Sequence, residues 1–196
     1  MLRVIPALLA LSLMPSPAPT QAPPFDLLII NGRVLDGSGN PWRRADIGIR
    51  GDRIAAVGAL AGAGAARTID AAGRIVAPGF IDAHSHAAEA LTREPLRDAR
   101  ALLAQGVTTI IGNPDGGGPV DLAAQRAALE KGGIGVNAGL LIGHGSVRSS
   151  VIGGADRAPT SGELARMLAL VTRAAGEGAL GLSSGLFYAP GSFAKL

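Results

Sequence analysis

The chain has three histidines, and two of them stand two residues apart in the run Pro78-Gly79-Phe80-Ile81-Asp82-Ala83-His84-Ser85-His86. Residues i and i+2 on an extended backbone point to the same side, so His84 and His86 can both reach one metal ion. Phe80 to Ala83 read as a buried strand, which puts the pair at a C-terminal strand end, where parallel β/α folds gather their reactive groups. Neutral imidazole nitrogens bind zinc and leave positions open for other ligands, so the chemistry within reach is metal-assisted hydrolysis. The alternative is two polar histidines in a surface loop; the apolar strand before them and the small Ser85 between them favour the ligand reading.

The chain contains no cysteine. That excludes disulfides, thiolate metal sites and thiol nucleophiles, and leaves nitrogen and oxygen as the only donors for a metal. Asp115 offers an oxygen within Asn113-Pro114-Asp115-Gly116, a run that also reads as an ordinary turn, because all four residues are favoured there. His144, at the end of another apolar run, is either hydrogen-bonded scaffold or a substrate-facing group. Arg148 could clamp a substrate carboxylate through a bidentate contact, or lie solvated in a loop. Ser183, Ser184 and Tyr188 line a pocket or belong to a glycine-punctuated capping loop. Ser184 is not a nucleophile candidate, since no histidine or lysine base pairs with it, and no catalytic residue is assigned.

These groups need a scaffold, and the period of the sequence supplies one. From Phe25 the pattern is that of strands, with three hairpins expected: Asp26 to Ile30 with Arg33 to Leu35 around Asn31-Gly32, Asp46 to Ile49 with Arg53 to Val57 around Gly51-Asp52, and Thr68 to Asp70 with Arg74 to Val76 around Ala71-Ala72-Gly73. Three short hairpins in so little chain suggest a small β-sandwich segment, residues 25–77, since a lone hairpin is marginal in water. From residue 78 apolar strands alternate with helical segments. The strands are expected at Phe80 to Ala83, Val107 to Gly112, Gly135 to Ile142 and Ala179 to Ser183, and the helices at Glu94 to Ala104, Val120 to Glu130 and Ser161 to Ala175. Such spacing implies right-handed parallel crossovers in an α/β fold, either a doubly wound sheet or the first half of an eight-stranded barrel.

With 196 residues the chain can hold one sizeable core or the opening parts of a larger enzyme. A formal charge of +3 comes almost wholly from scattered arginines, Lys131 and Lys195 being the only lysines, so no basic stripe tracks a phosphate backbone and nucleic acid is excluded as a partner. Arg3 followed by the apolar run Val4 to Met14 reads as a signal peptide, too short to span a bilayer, with Pro15 to Pro24 as cleavage region and linker. Residues 1–24 are therefore expected to be removed on export to the periplasm or beyond, leaving no stable membrane span.

The run Asp26-Leu27-Leu28-Ile29-Ile30-Asn31-Gly32 and the Pro-Gly-Phe-Ile-Asp-x-His-x-His stretch together resemble the start of an amidohydrolase-superfamily member. Gly106 to Asn113, Leu141 to Arg148 and Gly181 to Pro190 are similar to segments of the N-acyl-D-amino-acid deacylases of that superfamily. The resemblance implies a TIM-type (β/α)8 barrel with a β-sandwich, one or two zinc ions, and deacylation of N-acyl-D-amino acids or a related small amide by zinc-activated water. It assigns His84 and His86 as first-strand metal ligands, with Asp115 the available third. D-aminoacylases carry a cysteine ligand after the Gly-Asn pair; here Pro114, with no ligand atom, follows Gly112-Asn113, which leaves Asp115 either as an oxygen donor in its place or as a plain turn residue and opens the substrate class. The resemblance also implies ligands from later strands beyond Leu196. Residues 78–196 therefore read as the first four βα units of a truncated barrel, inactive in isolation. A non-catalytic remnant or half-barrel, and a cyclic amidohydrolase or dipeptidase, are the alternatives.

Overall fold

The computed structural model describes residues 24–194, so the expected signal peptide lies outside the described residues. The described residues divide into two compact units between Pro78 and Gly79.

The first unit is a mixed sheet in the order β3-β2-β1-β4, formed by β1 (Phe25–Val34), β2 (Arg43–Arg50), β3 (Arg53–Gly58) and β4 (Ala65–Asp70), with β5 (Ile75–Val76) also beside β1. The hairpin at Gly51-Asp52 is present, joining antiparallel β2 and β3. The other two expected hairpins are not. Asn31-Gly32 is a bulge inside one continuous strand: β1 advances from Ile29 to Gly32 while its partner moves only from Ile47 to Ala45. Asn31 absorbs the extra residue at φ 59°, which brings Ile29 and Val34 to one apolar cluster although they are an odd number of residues apart. β4 and β5 do not pair with each other either; both run parallel to β1, in succession along it. Ala71 to Arg74 make a detour closed by Arg74 N–H donating to Ala71 O at 2.8 Å. Asp70 ties the two irregularities together, accepting from Asn31 Nδ2 at 3.0 Å and from Ala72 N at 2.8 Å. Those bonds, that from Ala72 first, hold its carboxyl below the usual range.

The second unit is a four-stranded parallel sheet, β6 (Phe80–Ser85), β7 (Val107–Gly112), β8 (Asn137–Gly143) and β9 (Gly181–Ser183), in sequence order. Sequential parallel order with crossover helices is the winding of a (β/α) barrel rather than of a doubly wound sheet, in which the order reverses. The helices are α1 (Arg100–Leu103), α2 (Leu122–Glu130), α3 (His144–Ile152) and α4 (Ser161–Gly176). Ile110, Leu140 and Ile142 from the strands meet Leu122, Leu129, Val147, Met167 and Ala174 from the helices in one core. Fully burying an aliphatic side chain of this kind stabilises by about 1.5–3 kcal/mol. No helix among the described residues is long and apolar enough to cross a membrane.

Local chemistry sets the helix boundaries. Asp121 caps α2 by accepting from Ala124 N at 2.9 Å. Thr160 and Glu163 form a capping box on α4. Arg157 adds to it, donating through Nη1 and Nη2 to the two Glu163 carboxylate oxygens at 2.7 Å each. The Arg157 bonds first, and then the Thr160 N–H, hold the Glu163 carboxyl far below the ordinary carboxylate range.

Two helical expectations change. The segment Glu94 to Ala104 is broken into a short 3-10 turn at Leu96–Asp98 and α1, because Ala99 between them takes φ 52°. The stretch from His144 to Ile152, expected as loop, is α3, and it follows directly from β8.

Candidate metal centre

His84 and His86 lie at the C-terminal end of β6, where the strand's alternation aims both imidazoles the same way. The next strand, β7, ends at Gly112 and passes into a tight turn in which Gly117 N–H donates to Pro114 O at 3.0 Å. The central residues Asp115 and Gly116 have φ 57° and 73°, both positive as in the hairpin-type Asp-Gly turn. The turn therefore runs from Pro114 to Gly117, one residue later than the expected Asn113-Pro114-Asp115-Gly116, and it carries the carboxylate at its first central position. Asp115 Oδ2 lies 3.2 Å from His84 Nε2 and 3.2 Å from His86 Nε2. The two rings are tilted, with centroids 5.6 Å apart. His84 is also fixed through its backbone, its N–H donating to Asp82 Oδ1 at 3.1 Å.

Each of the three side chains offers one donor atom, and the three atoms lie within 4.8 Å of one another. The 3.2 Å separations are those of direct His–Asp contacts, and donors bound at roughly 2.0–2.2 Å in tetrahedral array would stand about 3.3 Å apart, so the three side chains could take up one ion with little movement of Asp115 relative to either imidazole. The donor set fits zinc chemically: two neutral imidazoles and one carboxylate, in an open position that leaves further sites free.

Beside this cluster is a cleft of about 640 Å³ lined by His86, Asp115, Ser146, Ser149, Gly185 and Tyr188, among others. Its size is that of small-molecule sites. Tyr188, 54% exposed, is on its wall, and Ser184 is exposed on the loop that supplies Gly185. His144 and Arg148 face elsewhere, toward an apolar cavity of about 330 Å³ with Met167, Leu168 and Leu182. Arg148 is not a loop residue but sits in α3, 1% exposed, and its Nη2 donates to Ala155 O at 2.9 Å and to Arg157 O at 2.6 Å. A guanidinium held by main-chain carbonyls in this way anchors a loop; the structure does not bring it to the cleft. Ser183 is buried, and its hydroxyl donates to Asn113 O at 2.7 Å.

Other residues of the site escape a reading of single motifs. Asn113 and Gln125 are buried and exchange side-chain amide bonds at 2.8 and 3.0 Å. A signal for Gln125 existed, because it is a polar residue on the apolar stripe of α2 between Leu122 and Leu129. Ser146 and Ser149 reach the cleft only because α3 forms.

Comparison with known proteins agrees with this geometry. Residues 67–195 match the sequence model described as "Amidohydrolase family". D-aminoacylase of Alcaligenes xylosoxydans xylosoxydans is 40% identical over 192 residues, covering 85% of this chain, and the chain spans 39% of that relative's length. A D-aminoacylase structure with a binuclear metal centre superimposes with TM-score 0.80 at 37% identity, over 88% of this chain and 41% of that one. N-acyl-D-glutamate deacylase from Bordetella bronchiseptica, bound to zinc and a phosphonate mimic of the tetrahedral intermediate, gives 0.79 at 35% identity, over 87% of this chain and 40% of that one. A strand-end His-x-His pair, a sequential parallel sheet and a family match over most of the second unit agree: the chain belongs to the amidohydrolase family.

Proposed function

We propose that the protein carrying this chain is a metal-dependent hydrolase of non-peptide amide bonds that deacylates N-acyl-D-amino acids. The single observation that carries the reading is the convergence of His84, His86 and Asp115 on one point beside a cleft of small-molecule size. Relatives named for the deacylation of N-acylated D-amino acids support the substrate class. At this position His84, His86 and Asp115 would hold zinc, which would supply Lewis acidity toward the amide carbonyl and toward water. His84 and His86 contribute neutral nitrogen donors, and Asp115 contributes the negative charge that balances part of the cation's. Tyr188 and Ser184, on the loop after β9, are the groups we assign to substrate contact.

The test is turnover of matched N-acetyl-D- and N-acetyl-L-amino acids by the whole protein after zinc loading. Release of the free amino acid from D-isomers only is expected. Hydrolysis confined to cyclic imides or dipeptides would replace the substrate class while leaving the metal reading intact; no turnover of any amide would support a non-catalytic chain.

We further propose export, on the basis of Arg3 and the apolar run Val4 to Met14. N-terminal sequencing of protein from fractionated cells should find a start within the Pro15 to Pro24 region. Cytoplasmic protein retaining Met1 would contradict it.

A further inference from the structure

The turn that carries Asp115 is held by contacts from outside it as well as by its own residues. Asn113 has φ 62° and Asp115 φ 57°, left-handed backbone that Asn and Asp adopt more readily than other residues with a side chain, and the surroundings hold it further. Here the surroundings are buried polar groups drawn from distant parts of the chain. Ser183, at the end of β9, accepts from Gly116 N at 3.1 Å and donates to Asn113 O at 2.7 Å, so one hydroxyl bridges both sides of the turn. Asn113 Nδ2 donates to Gln125 Oε1 at 2.8 Å and to Leu141 O at 3.0 Å, while Gln125 Nε2 returns a bond to Asn113 Oδ1 at 3.0 Å. Ser146 N, in the first turn of α3, donates to Gly116 O at 3.0 Å. Asn113, Gln125 and Ser183 are 7%, 8% and 7% exposed. The only hydroxyl proton of Ser183 is engaged on Asn113 O, which leaves none to offer a substrate.

We propose that Ser183, with the Asn113–Gln125 amide pair, is a positioning residue that holds the Asp115 carboxylate against the His84 and His86 donor atoms. This rests on the reading of Asp115 as a metal ligand. Side chains that orient a ligand in this manner set metal affinity without touching the ion, and their removal typically lowers it about 10–100-fold.

Zinc affinity of the full chain, measured by competition with a chromophoric chelator, tests the proposal in a mutant cycle. S183A should bind zinc about 10–100-fold more weakly than wild type, and S183T, which keeps the hydroxyl, should recover most of that loss. D115N should bind more weakly still, and S183A added to D115N should change affinity by no more than about twofold, because its effect passes through the carboxylate. Should S183A prove unfolded by circular dichroism, Gln125→Ala carries the same cycle from the other side of the turn. Unchanged affinity in S183A alongside a weakened D115N would overturn the positioning role and leave the ligand reading standing. Equal losses from S183A with and without Asp115 would show that the hydroxyl supports the fold alone, which also overturns it. Unchanged affinity in D115N would sink the ligand reading and the positioning role with it.

Discussion

The two strand ends that form the candidate centre are held by opposite means. After β7, Asp115 stands on a turn locked by Ser183, Gln125, Leu141 O and Ser146 N, and its side chain is 31% exposed. After β6, His84 and His86 are 63% and 72% exposed in their side chains, with one side-chain bond to the His84 backbone as local support. The Asp115 carboxylate therefore stands on the more enclosed of the two strand ends, and the imidazoles on the more exposed one.

Replacing the candidate ligands should have the largest effect. D115N, H84A and H86A are each expected to lower zinc affinity by more than about 100-fold, the loss expected from a direct donor exceeding that from an orienting group. If the more enclosed carboxylate is the anchor, D115N costs at least as much as either histidine variant; a D115N protein that outbinds H84A would reverse the roles of the two strand ends. Isothermal titration with zinc at fixed pH reads all three.

A second effect falls on the turn itself. Gly116 has φ 73°, and a Cβ there would sit 3.1 Å from the backbone nitrogens of Gly145 and Gly185. Gly116→Ala is expected to destabilise the protein by about 1–3 kcal/mol, seen as a lower denaturant midpoint, and to weaken zinc binding at the same time. A change of similar size in the stability of H86A would remove the distinction between the enclosed strand end and the exposed one.

The capping box of α4 gives the control away from the site. Thr160→Ala should cost about 1 kcal/mol of stability and leave zinc affinity unchanged. The smallest effect concerns pH. The Glu163 carboxyl, held below its ordinary range by Arg157 and by the Thr160 N–H, contributes stability that is complete above the unfolded value of about 4.3 and is lost as pH falls from there toward the depressed folded value. The melting temperature of E163Q should therefore trail wild type by a constant margin above about pH 5.5, with the margin narrowing as acid is added. A margin that widened in acid would mean the carboxylate is not the stabilising form.

What the sequence made legible follows from how local each feature is. The strand Val107 to Gly112 and the helices α2 and α4 were readable because an apolar run or a capped amphipathic segment carries its own signal. Asn31-Gly32 misled because the dipeptide is a strong local hairpin signal, whereas β1 continues through it as a bulge against β2 and pairs along its length with β4 and β5, some forty residues away. Helix α3 was hidden by its Gly-His-Gly start, poor in helix propensity, and is held by Val147 in the core and by the Ser146 bond to Gly116. The His84–His86 pair was visible from spacing alone, and Asp115 as one option among turn residues. The role of Ser183 was not visible, because its bond to Asn113 joins residues seventy positions apart and no local pattern encodes it.

The central claim is that His84, His86 and Asp115 hold one ion together. Anomalous diffraction at the zinc edge, from crystals of the protein grown with zinc, tests it most directly. A strong peak is expected about 2.0–2.2 Å from His84 Nε2, His86 Nε2 and Asp115 Oδ2 alike, with the Asn113 to Gly117 turn unmoved. A zinc ion on the histidines with the Asp115 carboxylate turned away, or no peak at this strand end, would contradict it.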